Sequence, residues 1–417
     1  MDLDADSQTP GGEPFAQFRE GFPALRQLTY LSICDKVILH DAVRASVDRF
    51  MDRLAMASAN RSDHEVLVHS AKAKFASLTN VAAETIGAIR NVSDGVNAFA
   101  WGLPWREGDN LVITADAEHP NNVYPWLRLR QRGIELRIVA AKPDGQLDTA
   151  AMLDAIDART RVMTCSSVTF APGHRTDIWV LGEGCRKRGV FLLVDGVQSA
   201  GILRHDLSAE PVDGFVTSTS KGLLGLYGFG FLYASPKWID RLEPAYLSRA
   251  AVAQQADDHS TIGAFDYELQ PDSRRFEVGS FNLAGAYAAD AALDLLLRLG
   301  PARTEARVLE LAGLLHQELT AAGMPPATAA SGPAQSHILT LGALDAGGHG
   351  FSSDPRIGQL SAHLAANRIV HTIRRGQLRF ALHAYNHEAD VERTAACVRE
   401  ALRAQAGAAT PGSADPI

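Results

Sequence analysis

From residue 86 onward, short apolar runs alternate with amphipathic stretches, and that rhythm admits few architectures. Strand-like runs fall at 86–90, 110–114, 134–139, 161–165 and 190–194, with helical patterns between them at roughly 95–103, 122–132, 148–157 and 176–188. A further helical pattern at 40–57 places Val43, Val47, Phe50 and Leu54 on one side. Strand, helix, strand at this spacing predicts an α/β chain with a mainly parallel sheet covered on both faces. Around 213–234 the rhythm changes, because two strands, 214–217 and 229–234, are separated by a glycine-rich loop and no long helix. A long helix is expected at 283–299, and Gly300-Pro301 marks a break after it.

These patterns suggest a domain plan. Residues 1–14 read as a flexible N-terminal arm, 15–300 as a large domain, 301–405 as a smaller α+β C-terminal domain and 406–417 as a disordered tail. The stretch 246–275 has no readable pattern. The chain has 417 residues, 46% of them hydrophobic, enough for a large core. A formal charge of −8 without blocks of like charge argues against nucleic acid or an anionic membrane as a partner. No apolar run reaches the ~18 residues of a membrane span. The four cysteines, Cys34, Cys165, Cys185 and Cys397, form no CxxC, so neither a disulfide scaffold nor a structural metal site is expected. With an acidic, polar N-terminus unlike a signal peptide, they point to the cytoplasm.

In open α/β sheets ligands bind at the carboxyl ends of strands, which directs attention to the polar residues there. Asp195 follows the apolar run FLLV, where a carboxylate is costly to bury without a partner. It either caps the next helix or binds a cationic group of a cofactor. Lys221 follows four hydroxyl residues, Thr217 to Ser220, and precedes Gly222, Gly225, Gly228 and Gly230. It is either a solvated loop lysine or a partly desolvated amine suited to Schiff-base chemistry, with hydroxyls and open backbone amides beside it for a phosphate. Ser93, Asp94 and Gly95 would begin a helix whose N-terminus favours an anion, although an ordinary capped helix looks the same. His119 is a candidate acid/base or a ring that stacks on a flat cofactor, against the commoner structural histidine. Arg379, in the strand-like run LRFAL, suits a carboxylate, against a surface salt bridge.

The order and chemistry of these residues resemble the class V aminotransferase, cysteine desulfurase-like family of fold-type I pyridoxal 5′-phosphate (PLP) enzymes. That family also includes kynureninases and isopenicillin N epimerases. The likeness runs from about Tyr30 to Asn386 and is most specific in FLLVDGVQSAG and SKGLLGLYGFGFLY, with 26 residues from Asp195 to Lys221. It implies a seven-stranded sheet in the large domain, to whose smaller companion the N-terminal segment contributes, and a homodimer.

It also implies the residue roles. Lys221 would bind the cofactor aldehyde and move the substrate Cα proton. Asp195 would pair with the ring nitrogen. Gln198 would bond the ring phenolic oxygen, and His119 would stack on the ring. Ser93, the Asp94 backbone, Ser218 and Ser220 would hold the phosphate, completed by Ser280 from a neighbouring subunit. Arg379 would bind the substrate α-carboxylate.

Three departures stand out. Ser220 replaces a histidine often found before the lysine, and Phe170 replaces an asparagine near the cofactor oxygen. The stretch HLAANRIVHTIRRGQLR lacks the mobile-loop cysteine of the desulfurases, which argues against a sulfur-relay desulfurase. The first expectation is therefore a C–S lyase acting by β-elimination on a cysteine-type substrate. Transamination, racemisation or epimerisation, and a decarboxylative or aldehyde-forming tailoring reaction of secondary metabolism are the alternatives. A non-enzymatic binding relative is disfavoured, because Lys221, Asp195, His119 and Arg379 are all present.

Overall fold

The computed structural model describes residues 13–253, 261–262, 265–345 and 348–409. The chain divides into two compact units, one made of residues 1–35, 171–174 and 306–417, the other of 36–170 and 175–305.

The first unit contains strand β1 (Thr29–Tyr30). The second is built on a seven-stranded sheet made of β2 (Ile86–Ile89), β3 (Asn110–Ile113), β4 (Glu135–Ile138), β5 (Thr160–Ser166), β6 (Phe191–Asp195), β7 (Gly214–Ser218) and β8 (Gly230–Ala234). Their order across the sheet is β2-β8-β7-β6-β5-β3-β4. All neighbours are parallel except β8, which runs antiparallel to both β7 and β2. Two reversals restore the direction, so β2 points the same way as β3 to β7. Every parallel strand therefore ends at one edge of the sheet, as the strand-helix rhythm predicted. Apart from β4, where Glu135 and Ile138 are exposed, the strands are buried almost throughout, which is why they read as continuous apolar runs.

Helices cover the sheet. Arg61–Leu78 packs Phe75 flat against Phe231 of β8, with centroids 4.4 Å apart. Val92–Gly102 sets Phe99 against Phe191 of β6 at 5.3 Å. Each such ring pair contributes about 0.5–1.5 kcal/mol beyond its area burial. The helix at 61–78 lacks a clean pattern in the sequence, since Val66 is exposed while Val68, Ala71 and Phe75 are buried. At the sheet margin, Glu277 accepts the Ala88 N–H of β2 at 3.0 Å and pairs with Lys72 at 2.6 Å, covering a strand edge that would otherwise invite pairing. The stretch 246–275, in its described part, consists of short 3₁₀ turns and loop. Helix Leu283–Leu299 ends at Gly300, as the break in the sequence suggested.

In the first unit, β11 (Thr372–Arg374), β12 (Gln377–Ala381) and β9 (Ile338–Leu341) form a three-stranded antiparallel sheet, and β1 pairs with β10 (Ile369–Val370). Phe18, Phe22 and Tyr385 build an aromatic cluster there, and Arg19 ties Asp390 at 2.8 Å. Two boundaries differ from expectation. Helix Glu13–Glu20 takes in the last two residues of the expected arm, and helix Glu388–Ala409 runs four residues into the expected tail. Three of the four residues there are alanines, the best helix formers, which offset Gly407. The rest of both calls, 1–12 and 410–417, lies outside the described residues.

Candidate active site

Six connections leave the common strand edge of the large sheet, and most of the expected residues sit on them. After β7 the chain makes a tight loop. Thr219 Oγ1 donates to the Leu226 and Phe229 carbonyls at 2.7 and 3.0 Å, and the Gly225 N–H returns to the Thr219 carbonyl at 2.7 Å. A Cβ on Gly225 would lie 2.7 Å from Thr219 Cβ, so the loop closes only with glycine there. This fold-back holds the Ser218 and Ser220 hydroxyls 3.2 Å apart and leaves Lys221 half-buried beside them.

After β2, the helix Val92–Gly102 starts at once. Its N-terminus approaches β7 closely, because a Cβ on Gly95 would meet Val216 Cγ1 at 2.6 Å. Ser93 is thereby carried in the first turn, next to the strand that ends in Ser218. The Asp94 N–H already donates to the Asn91 cap at 3.0 Å, and its carboxylate is gripped by Arg90 at 2.7 Å. The Asp94 amide, an expected phosphate ligand, thus already has a partner within the chain.

Asp195 ends β6 and is 6% exposed. Its carboxylate accepts the Val197 N–H at 2.8 Å and the Asn122 Nδ2–H at 2.6 Å. Burial pushes the Asp195 carboxyl above its usual range, opposed by those two hydrogen bonds and by the Lys221 charge. Gln198 is buried three residues on. His119 caps the turn at Pro120–Asn122, accepting the Asn121 N–H at 3.2 Å, and its ring stands edge-on to Phe170 with centroids 5.5 Å apart. It is exposed. Ser280 is exposed, just before helix Leu283–Leu299, where Asn282 Nδ2 donates to the Tyr227 carbonyl of the glycine-rich loop at 2.9 Å.

Arg379 belongs to the other unit. It is 1% exposed on β12, opposite Thr372 of β11, and its Nε donates to Thr372 Oγ1 at 3.1 Å.

Sequence reasoning missed the groups around Asp195. Glu118, Asn122 and Ser166 are all buried and hydrogen-bonded to one another. Glu118 lies five residues past the end of β3, whereas Asp195 ends β6 itself, so no strand-end signal marked it. A second buried chain links Ser167, Ser199, His205 and Glu210, with Ser199 Oγ 2.7 Å from His205 Nε2 and His205 Nδ1 3.1 Å from Glu210.

PLP fits this donor set. The paired hydroxyls and the helix start suit its phosphate, Lys221 its aldehyde, and the cation-poor carboxylate of Asp195 its ring nitrogen. Among the described residues no helix is long and apolar enough to cross a membrane, and no histidine, cysteine and carboxylate cluster could hold a metal ion.

Comparison with known proteins agrees. A probable cysteine desulfurase of Methanothermobacter thermautotrophicus is 31% identical over 305 residues, 72% of this chain and 74% of that protein. An uncharacterized aminotransferase of Bacillus subtilis is 26% identical over 374 residues, 89% of this chain and 93% of that one. The fold is shared with the cystine C–S lyase C-DES, solved with its product cysteine persulfide, at a TM-score of 0.79 and 22% identity over 91% of this chain and 99% of that one. Residues 43–394 match the family model for aminotransferase class-V. The chain belongs to the aminotransferase class-V family and is a PLP-dependent enzyme.

Proposed function

We propose that the chain is a C–S lyase that removes the sulfur substituent of a cysteine-type amino acid by β-elimination, releasing a thiol, pyruvate and ammonia. The observation that carries this reading is Lys221, half-buried beside two hydroxyls at the end of β7, with its charge felt by Asp195 at the end of the neighbouring strand. Relatives named as cysteine desulfurases and a structural neighbour named as a cystine C–S lyase support a sulfur-bearing substrate. The segment before Arg379 has no cysteine, so a thiol, persulfide or other sulfur leaving group departs without transfer to the enzyme there.

When bound, PLP supplies an electron sink for negative charge at the substrate Cα. Lys221 would link to it and would carry the Cα proton. Asp195 would hold a positive charge at the ring nitrogen. Gln198 would bond the ring oxygen, and His119 would stack on the ring. Ser93, the Asp94 backbone, Ser218 and Ser220 would hold the phosphate, and Arg379 would bind the substrate carboxylate as a fork.

The working form is a homodimer in which Ser280 serves the neighbouring subunit. Exposed Tyr246, Leu247, Ile262, Phe265 and Tyr267 are the kind of surface a second copy would cover. All four cysteines are buried and none is in a disulfide, in keeping with a reducing cytoplasm.

The test is incubation with S-substituted cysteines and assay of pyruvate. The wild-type chain is expected to release pyruvate and the thiol together. Lys221→Ala is expected to lose both this reaction and the visible absorbance of the cofactor. A keto acid that retains the sulfur substituent, in place of pyruvate, would make the enzyme an aminotransferase.

A further inference from the structure

The site contains a second buried acid to which none of these roles applies. Glu118, 5% exposed, lies in the connection after β3. Asn122 Nδ2 donates to both acids, at 2.6 Å to Asp195 Oδ2 and 3.0 Å to Glu118 Oε2. Ser166, the residue of β5 in register with Asp195, donates its N–H to Glu118 Oε1 at 2.6 Å and its O–H to Oε2 at 2.5 Å. Among the described residues no lysine, arginine or histidine pairs with Glu118. The Asn122 Oδ1 is buried without a hydrogen-bond partner, so this amide spends its donors on the two acids and leaves its acceptor unused.

The surroundings make two ionised carboxylates costly. Burial pushes both carboxyls up, and the Asp195 charge pushes Glu118 further. The Cys165 thiol beside them is also pushed up, first by burial and then by the Glu118, Cys185 and Asp195 charges. The Lys221 charge pulls the Asp195 carboxyl down. Asn122 bridges the two carboxyls, which places them to share one proton. Yet every contact of Glu118 is a donor, which is what an ionised carboxylate needs once a cation is close enough to offset its charge.

We propose that Glu118 is a positioning residue that acts through Asp195. Joined by Asn122, the two carboxyls form one acid pair that keeps a proton in the cofactor-free protein and releases it to solvent when a cationic ring nitrogen binds at Asp195. The second negative charge then holds the ring protonated to higher pH. This rests on the reading that Asp195 faces the ring nitrogen.

The test compares the full wild-type chain, freed of PLP, with Glu118→Gln, using pyridoxine 5′-phosphate as the probe. That probe has the ring and phosphate but no aldehyde, so Lys221 cannot link to it. Without ligand, the variant is expected to melt about 2 °C higher than wild type at pH 8–9. The gap should close toward pH 5, because stability from a raised carboxyl pKa is lost as pH rises through it. With ligand, the variant is expected to bind about tenfold more weakly at pH 8, and the protonation midpoint of the bound ring, read by absorbance, to fall by about one pH unit. Glu118→Asp keeps the charge and should restore the midpoint.

A side chain that only fills space would not strengthen the free protein while weakening ring binding. An unmoved midpoint with unchanged binding overturns the proposal, as does lower stability at every pH. If Glu118→Gln does not fold, Ser166→Ala decides. Losing one donor to Glu118 should lower the midpoint by less, and no shift overturns the role. Failure of the wild-type chain to bind pyridoxine 5′-phosphate would overturn the cofactor reading and the positioning role with it, while the pH dependence of melting would still decide whether the acids act as a pair.

Discussion

At the covered margin of the large sheet, Glu277 is buried with a cation of its own, Lys72, 2.6 Å away, and with the Ala88 N–H. At the strand-end edge of the same sheet, Glu118 and Asp195 are buried among neutral donors, and Asp195 also feels the Lys221 charge. Glu277 is complete within the chain and holds β2 in place. On the proposed reading the other two are incomplete, and the charge they lack comes from what binds. A buried acid that brings its partner is part of the scaffold, and one that does not is part of a site.

The contrast can be broken by substitution. Lys72→Ala should cost about 3–5 kcal/mol in urea unfolding, because it strands the Glu277 charge. The double variant Lys72→Met, Glu277→Leu should recover most of that loss. Asp195→Asn should behave in the opposite way. Its turnover should fall by on the order of 10²–10³-fold, while the cofactor-free chain is no less stable than wild type at pH 8. A large loss of stability in Asp195→Asn would place this acid in the scaffold after all.

A fourth carboxylate sharpens the sign. The Arg307 guanidinium holds Glu388 down to about 2. Its contribution is present above the ordinary glutamate range and is lost as pH falls through 2, the reverse of the raised acids. Because Glu388 is half-exposed, replacing it by Gln should remove no more than about 1 kcal/mol at neutral pH, with the difference vanishing in acid. Urea midpoints across pH 2–7 would check both the direction and the size.

Much of this was legible before any coordinates. The seven strands of the large sheet were visible because most are buried on both faces, and their ends directed attention to Asp195, Lys221, Ser93 and His119. The helix at 61–78 was not visible, because Val66 faces solvent in the middle of it and blurs its period. Glu118, Asn122 and Ser166 were missed for a different reason. Each is an ordinary polar residue in sequence, and only the neighbouring order of β3, β5 and β6 brings them together. His205 likewise gains its place only by meeting Ser199 and Glu210 in space. Arg379 was found through its strand pattern, but the Thr372 hydroxyl that fixes its head depends on hairpin register.

The reversal of β8 has a mechanical consequence. It returns β2 to the common edge, so a molecule gripped there is held at once by connections from early, middle and late parts of the large unit. Such a ligand works as a removable crosslink, joining strands that no covalent bond ties together. Loading should therefore slow amide exchange across the whole sheet in concert, rather than at the contacted loops alone.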